Sequence, residues 1–132
     1  MYYISTEKEI NIIQLMNLMK QTYWASERSE VEVLTAMQHS VCFGAFDEAN
    51  NLVGFARVVT DYVSIWYLCD VIVDANHRGE GIGKMLLSAI ASDNRFANAP
   101  ALLTTKDAHG LYRKYGFTDV DTDRVMYRAK QN

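Results

Sequence analysis

The segment Arg78-Gly79-Glu80-Gly81-Ile82-Gly83-Lys84 carries the clearest ligand chemistry in this chain. Three alternate glycines let the backbone turn tightly and bring several amide N–H groups toward one ligand, a concavity that suits phosphate. An amphipathic run starts at Ile82, so the free amides of a helix N-terminus point the same way, and Arg78 and Lys84 add positive charge. Two familiar phosphate loops do not match. A P-loop needs four residues between its glycine and its Gly-Lys pair, then Ser or Thr for magnesium, whereas Gly79 and Gly83 enclose three and Met85 follows Lys84. The dinucleotide fingerprint G-x-G-x-x-G finds Lys84 where its last glycine belongs, and it belongs in a βαβ series rather than after a hairpin.

Acid–base candidates come next. Asp70 is the one charge in Val63–Val73, and alternation places it on the face of Trp66, Leu68 and Ile72, where apolar neighbours should raise its pKa as a general base requires. The same residue could equally be a structural carboxylate held by backbone amides or an arginine. Asp61 is a second acidic candidate, able to act through water. His109 has no Ser or Cys partner assignable from spacing, His39 and His77 read as surface or loop residues, and Asp107 reads as a helix cap.

These residues need elements to hold them. Tyr2–Ile4 reads as a short strand, and Thr6-Glu7-Lys8-Glu9 as a capping box opening a helix whose inward face carries Ile12, Met16, Met19 and Tyr23, widened by Ile13, Leu15 and Leu18. Ser29-x-x-Glu32 opens a second helix through Val31, Leu34 and Met37. Val41–Asp47 and Leu52–Thr60 form a hairpin around Glu48–Asn51, and Val63–Asp74, nearly all apolar, is a central strand covered on both faces. The glycine loop then leads into a helix along Ile82, Met85, Leu86, Ala89 and Ile90. Ala101–Thr105 is a strand, Ala108–Tyr115 a short helix ended by Gly116 as a left-handed cap, and Thr118–Asp121 and Arg124–Arg128 are closing strands.

At 132 residues, with 49% hydrophobic and 22% charged residues, the chain makes one α/β (α+β) domain spanning residues 1–132. A net charge of −3 without a basic block argues against nucleic-acid binding. No signal peptide or membrane-spanning run is evident, and Cys42 and Cys69 read as unpaired thiols, so the cytoplasm is the expected compartment; no metal-ligand cluster is legible.

The run from Val71 through Arg78-Gly-Glu-Gly81-Ile-Gly83-Lys84 resembles the coenzyme A loop of the GNAT N-acetyltransferases, and Leu111-Tyr112-x-x-Tyr115-Gly116-Phe117 resembles their second signature. The order of elements follows the family along nearly the whole chain. The resemblance implies a mixed, mostly antiparallel sheet flanked by helices and splayed between its fourth and fifth strands, with acetyl-CoA as cosubstrate in the opening. The main chain of Ile72 and Val73 would pair with the pantetheine arm, and the amides from Arg78 through Gly79, Glu80, Gly81, Ile82 and Gly83 to Lys84 would cradle the pyrophosphate. Thr105 stands where many members carry a cofactor-contacting Asn. Tyr112 would be the general acid, the Val71 amide an oxyanion donor, and Asp70 would match the Asp of polyamine acetyltransferases. Trp24, Arg28, Asp61 and Trp66 would border the pocket of a small-molecule or peptide amine. Asp70 and Asp61 suit a cationic amine, whereas Arg28 suits one bearing a carboxylate. A coenzyme A-binding regulatory module without turnover is the rival reading, and C-terminal edge strands could pair in a homodimer.

Overall fold

Val41–Phe46 (β2) and Leu52–Thr60 (β3) form the expected hairpin, closed by Asn50 in a left-handed conformation (φ +65°) and by Asp47, whose carboxylate accepts the amides of Ala49 and Asn51. Tyr3–Ser5 (β1) pairs with β2, and Trp66–Val73 (β4) with β3, both antiparallel; Ala101–Leu102 (β5) joins β4 in parallel, giving the order β1-β2-β3-β4-β5. The computed structural model describes residues 1–131.

Apolar residues on both faces of this sheet recruit a helical layer to each. On one side Ile82–Ala91 (α3) buries Ile82, Leu86, Leu87 and Ile90 against Phe43, Val53, Leu68 and Phe96. On the other, Ile12–Met19 (α1) and Glu30–Gln38 (α2) enclose Leu15, Leu18, Met19 and Val33 with Phe46, Phe55 and Ile72. Each such side chain contributes about 1.5–3 kcal/mol on burial, so the two cores clamp β4 from both sides.

The first helix starts later than its sequence signal. Thr6 caps nothing; Ser5 Oγ instead accepts the amides of Glu7 and Lys8 in a turn, and Asn11 caps α1 by accepting from Ile13 and Gln14. Asn is at least as good a cap as Thr, and this start directs Leu15, Leu18 and Met19 inward while leaving Ile13 exposed. Because α1 ends at Met19, Tyr23 falls in the following turns and is exposed. The Ser29–Glu32 capping box is present in full, although α2 buries Val33 rather than Val31 or Leu34.

The C-terminal part is shorter in regular structure than expected. β5 has two residues, His109–Arg113 (α4) forms the short helix, and Gly116 follows it at φ +92°. The two closing strands are absent among the described residues: 118–131 contain only a 3₁₀ turn at Thr122–Arg124, and Val125, Met126 and Tyr127 are exposed. A strand needs a paired neighbour, and the two-residue β5 offers little edge on which to build one.

Candidate active site

A bulge in β4 creates the centre of the site. Phe55 pairs with Ile72 and Arg57 with Cys69, so Ala56 faces two residues, Asp70 and Val71, and Asp70 takes the left-handed conformation (φ +55°). The extra residue reverses the alternation: Leu68 faces the α3 layer, whereas Ile72 faces α1 and α2. Asp70 therefore turns away from the face of Trp66 and Leu68 on which simple alternation placed it. Its carboxylate accepts Trp24 Nε1 at 3.1 Å on Oδ1, and Arg28 Nη1 at 2.7 Å and Arg57 Nε at 2.9 Å on Oδ2. Arg57 Nη1 goes on to Ser40 Oγ at 2.9 Å.

Asp70 is buried to 1% side-chain exposure, and burial alone pushes its carboxyl upward. The hydrogen bonds and charges of Arg28 and Arg57 outweigh that effect, and the net shift is downward. The raised pKa expected of a base is thus corrected by two arginines, one of which the sequence reading missed. Arg57 had a signal: it is the one charge in Leu52–Thr60, as Asp70 is in β4.

Past this bulge β4 and β5 part. Only Trp66–Ala101 and Tyr67–Leu102 pair, so the edge of Val71–Val73 has no strand beside it on the β5 side. A cleft of about 810 Å³ opens there, lined by Cys69–Val73 and Arg78, by Leu103–Thr105, Asp107, Ala108 and Tyr112, and by Trp24, Arg28 and Arg57 beside Asp70. Arg78 Nε reaches the Val73 carbonyl at 3.3 Å. Thr105 Oγ1 accepts the Ala108 amide at 3.1 Å, so it starts the turn into α4 that Asp107 was expected to cap; Asp107 instead borders the cleft.

The glycine loop follows Arg78, a residue of the cleft wall, and opens α3. Gly79 and Gly81 have φ +82° and +86°, conformations costly for other residues, and a Cβ on either would meet nothing within 4 Å. The cradle is therefore open, with room for a phosphate against the amides, and exposed Arg78 and Lys84 beside it. Asp74 braces it from below, accepting Gln21 Nε2 at 2.8 Å and contacting His77 Nδ1 at 2.7 Å in a 3₁₀ turn, Ala75–His77, that sequence periodicity did not reveal.

Tyr112 lines the cleft half-buried, and among the described residues no partner bonds its hydroxyl. Burial, then the charge of Asp107, raises its pKa, which keeps the phenol protonated at neutral pH. The Cys69 thiol, also on the wall, is pushed up to about 11 by burial and is a poor nucleophile.

Two expected pocket residues stand apart. Asp61 is exposed in the β3–β4 turn, its carboxyl held well below the usual range by the Ser64 hydroxyl and the amides of Ser64 and Val63. Trp66 donates to the Ala99 carbonyl at 3.1 Å and stacks on Phe96, facing a second cleft of about 750 Å³ beneath the C-terminal segment. His109 also faces that second cleft. Tyr23, Tyr67 and Tyr127, not expected, border the first.

A sheet splayed after its fourth strand, with a glycine loop opening α3 and a half-buried tyrosine on the cleft wall, has the architecture of an acetyltransferase fold. The GNAT acetyltransferase domain model matches residues 38–119, and the chain belongs to that family. The N-acetyltransferase ycf52 of Porphyra purpurea, described as uncharacterized, is 31% identical over 135 residues, covering 95% of this chain and 75% of that protein. Serotonin N-acetyltransferase 2, chloroplastic, of Oryza sativa subsp. japonica is 31% identical over 113 residues, 79% of this chain and 56% of that one. A GNAT-family structure from Xanthomonas campestris pv. campestris superposes with a TM-score of 0.90 at 36% identity, covering 98% of this chain and 94% of that one. Among the described residues no helix is long and apolar enough to cross a membrane.

Proposed function

We propose that this acetyltransferase moves the acetyl group of acetyl-CoA to a primary amine of a small molecule or peptide by direct attack in a ternary complex. The observation that carries the reading is the open glycine loop that begins α3 directly after Arg78, which lines the same cleft as Tyr112. Acetyl-CoA, the cosubstrate that the family implies, supplies a thioester activated toward amines. Amides from Gly79 to Lys84 bind its pyrophosphate, Arg78 leaves the Val73 carbonyl for the phosphates, and the freed edge of Ile72 and Val73 pairs with the pantetheine amides. Thr105, whose hydroxyl hydrogen is free to donate, faces the same arm. The Val71 amide beside the bulge receives the negative charge that develops on the acetyl oxygen, and Tyr112 Oη gives its proton to the departing sulfur. With Cys69 protonated, the amine itself attacks. Asp70 holds Arg28 and Arg57, and the amine's proton leaves to water in the open cleft.

Acetyl-CoA is expected to raise the melting temperature while ATP and NAD leave it nearly unchanged, and Gly81→Val to abolish the rise, because a branched side chain both disfavours φ +86° and crowds the cradle. Differential scanning fluorimetry tests this; equal stabilisation by ATP contradicts the cradle assignment. The exposed Val125, Met126 and Tyr127 support a homodimer in which copies bury this apolar segment against each other, and the unpaired thiols support a reducing compartment such as the cytoplasm. Sedimentation velocity at micromolar concentration should therefore show a dimer, and a monomer throughout that range contradicts the pairing.

A further inference from the structure

The charges at the acyl end of the cleft do not suit a simple cationic amine. Asp61 lies outside it, bound into its own turn. Asp70 lies behind it, its Oδ2 taken by two guanidinium groups and its Oδ1 by an indole. Five charged side chains line the whole cleft: Arg28, Arg57 and Arg78 against Asp70 and Asp107, a net of +1. Arg78 stands at the cradle end; at the other, where the charge of Asp107 acts on Tyr112, Arg28 and Arg57 balance Asp70 and Asp107, and the surplus comes from Lys106, whose Nζ sits 5.1 Å from the centroid of the Tyr23 ring on the cleft wall.

Of Arg28 and Arg57, the first is the more exposed and has more donors to spare, since Arg57 keeps only Nη2 free among the described residues. Arg57 is 13% exposed and spends its fork on Asp70 and Ser40. Arg28 is 31% exposed and, among the described residues, uses Nη1 alone, leaving Nε and Nη2 without a protein partner. Asp70 anchors this guanidinium through Nη1, which reduces the entropy lost when a second anion binds it. Tyr23, Trp24, Tyr67 and Tyr127 add aromatic surface to the same cleft.

We propose that Arg28 docks a carboxylate of the acceptor, and that the natural acceptor is therefore an amine carrying a carboxylate, of the amino-acid type with an apolar or aromatic body. This rests on the acetyltransferase reading above and adds the substrate class. Binding of the carboxylate neutralises the surplus charge, and the same positive field beforehand disfavours an ammonium, so the acceptor enters more readily with its amine deprotonated.

Matched pairs differing only in the carboxylate, phenylalanine against phenethylamine and tryptophan against tryptamine, test the proposal in two ways. Calorimetry on the protein saturated with coenzyme A measures acceptor binding without turnover, and thiol release from acetyl-CoA measures kcat/KM. In the wild type the carboxylate member of each pair should bind and react at least about tenfold better, as expected of one charge-assisted bidentate contact. Arg28→Met should bring that ratio near one, chiefly through KM, and Arg28→Lys should restore part of it. Asp70 keeps Arg57 in both variants, so the fold should persist, which the melting temperature checks. Wild-type protein that prefers the decarboxylated member, or a ratio unchanged by Arg28→Met, overturns the proposal. Acetylation of the decarboxylated amines at full rate would do so while leaving the acetyltransferase reading standing; failure to bind coenzyme A would remove that reading itself.

Discussion

Tyr112→Phe is expected to lower kcat by about 10²-fold or more while coenzyme A affinity stays within a few-fold, the pattern of a lost general acid. The ring contributes packing that Phe retains: it meets Phe117 edge-on at 6.1 Å, and its neighbours belong to the α3-side core. The hydroxyl, by contrast, bonds no protein group among those described, so its removal should cost little stability. Steady-state thiol release and a coenzyme A titration separate these effects. The raised pKa of Tyr112, due first to burial and then to Asp107, adds a pH expectation: the phenol stays protonated through the ordinary tyrosine range near about pH 10, so wild-type kcat should show no alkaline loss from this group below that point. Unchanged turnover in the variant would remove Tyr112 from proton transfer and leave the departing thiolate to solvent.

The elements that hold Tyr112 and the cradle were legible because each has a local cause. The two capping-box residues Ser29 and Glu32, the hairpin ends at Val41 and Thr60, the α3 stripe of Ile82, Leu86 and Ile90, and the left-handed Gly116 all follow from chemistry within a few residues of sequence. The loop motif likewise marked the left-handed Gly79 and Gly81 and the start of α3, with Arg78 on the cleft wall. What could not be read was non-local. Asp70 at φ +55° is not a residue whose type announces a bulge, and its carboxylate partners come from two distant parts of the chain, Trp24 and Arg28 from the segment between α1 and α2 and Arg57 from β3. The bulge reversed the direction of Asp70, and the two arginines reversed the sign of its pKa shift. Thr6 lost to Asn11 for a related reason, since either could cap locally and only packing of Leu15 and Met19 chooses between them. The closing strands had the composition of strands and lacked a neighbour, which sequence does not supply.

Asp70→Asn carries the largest expected effect on stability, because it removes the one charge that compensates two arginines in a buried setting. Loss of one partner from a buried ion pair costs about 3–5 kcal/mol, or a melting temperature lower by roughly 10 °C or more for a domain this size. The amide keeps the shape and can still accept from Trp24 Nε1, so the loss reports charge rather than volume. Its pH dependence has a fixed sign. The folded-state pKa of Asp70 lies below the unfolded value, so the stabilisation is fully present above that unfolded value, near about 3.9, and disappears as the pH falls through the lower folded-state pKa. Wild type and variant should consequently differ most at neutral pH and converge under strongly acidic conditions. Urea unfolding of both proteins from neutral to acidic pH measures this. A difference that stays constant as the pH falls, or a variant as stable as the wild type at neutral pH, would mean that the two arginines do not depend on Asp70. A stable variant that instead loses only the acidic limb of kcat/KM, recovering as more free amine appears at high pH, would return Asp70 to the role of base. The lowered carboxyl pKa and the doubly occupied Oδ2 favour the first outcome, in which Asp70 acts on the acceptor through the guanidinium it holds in place.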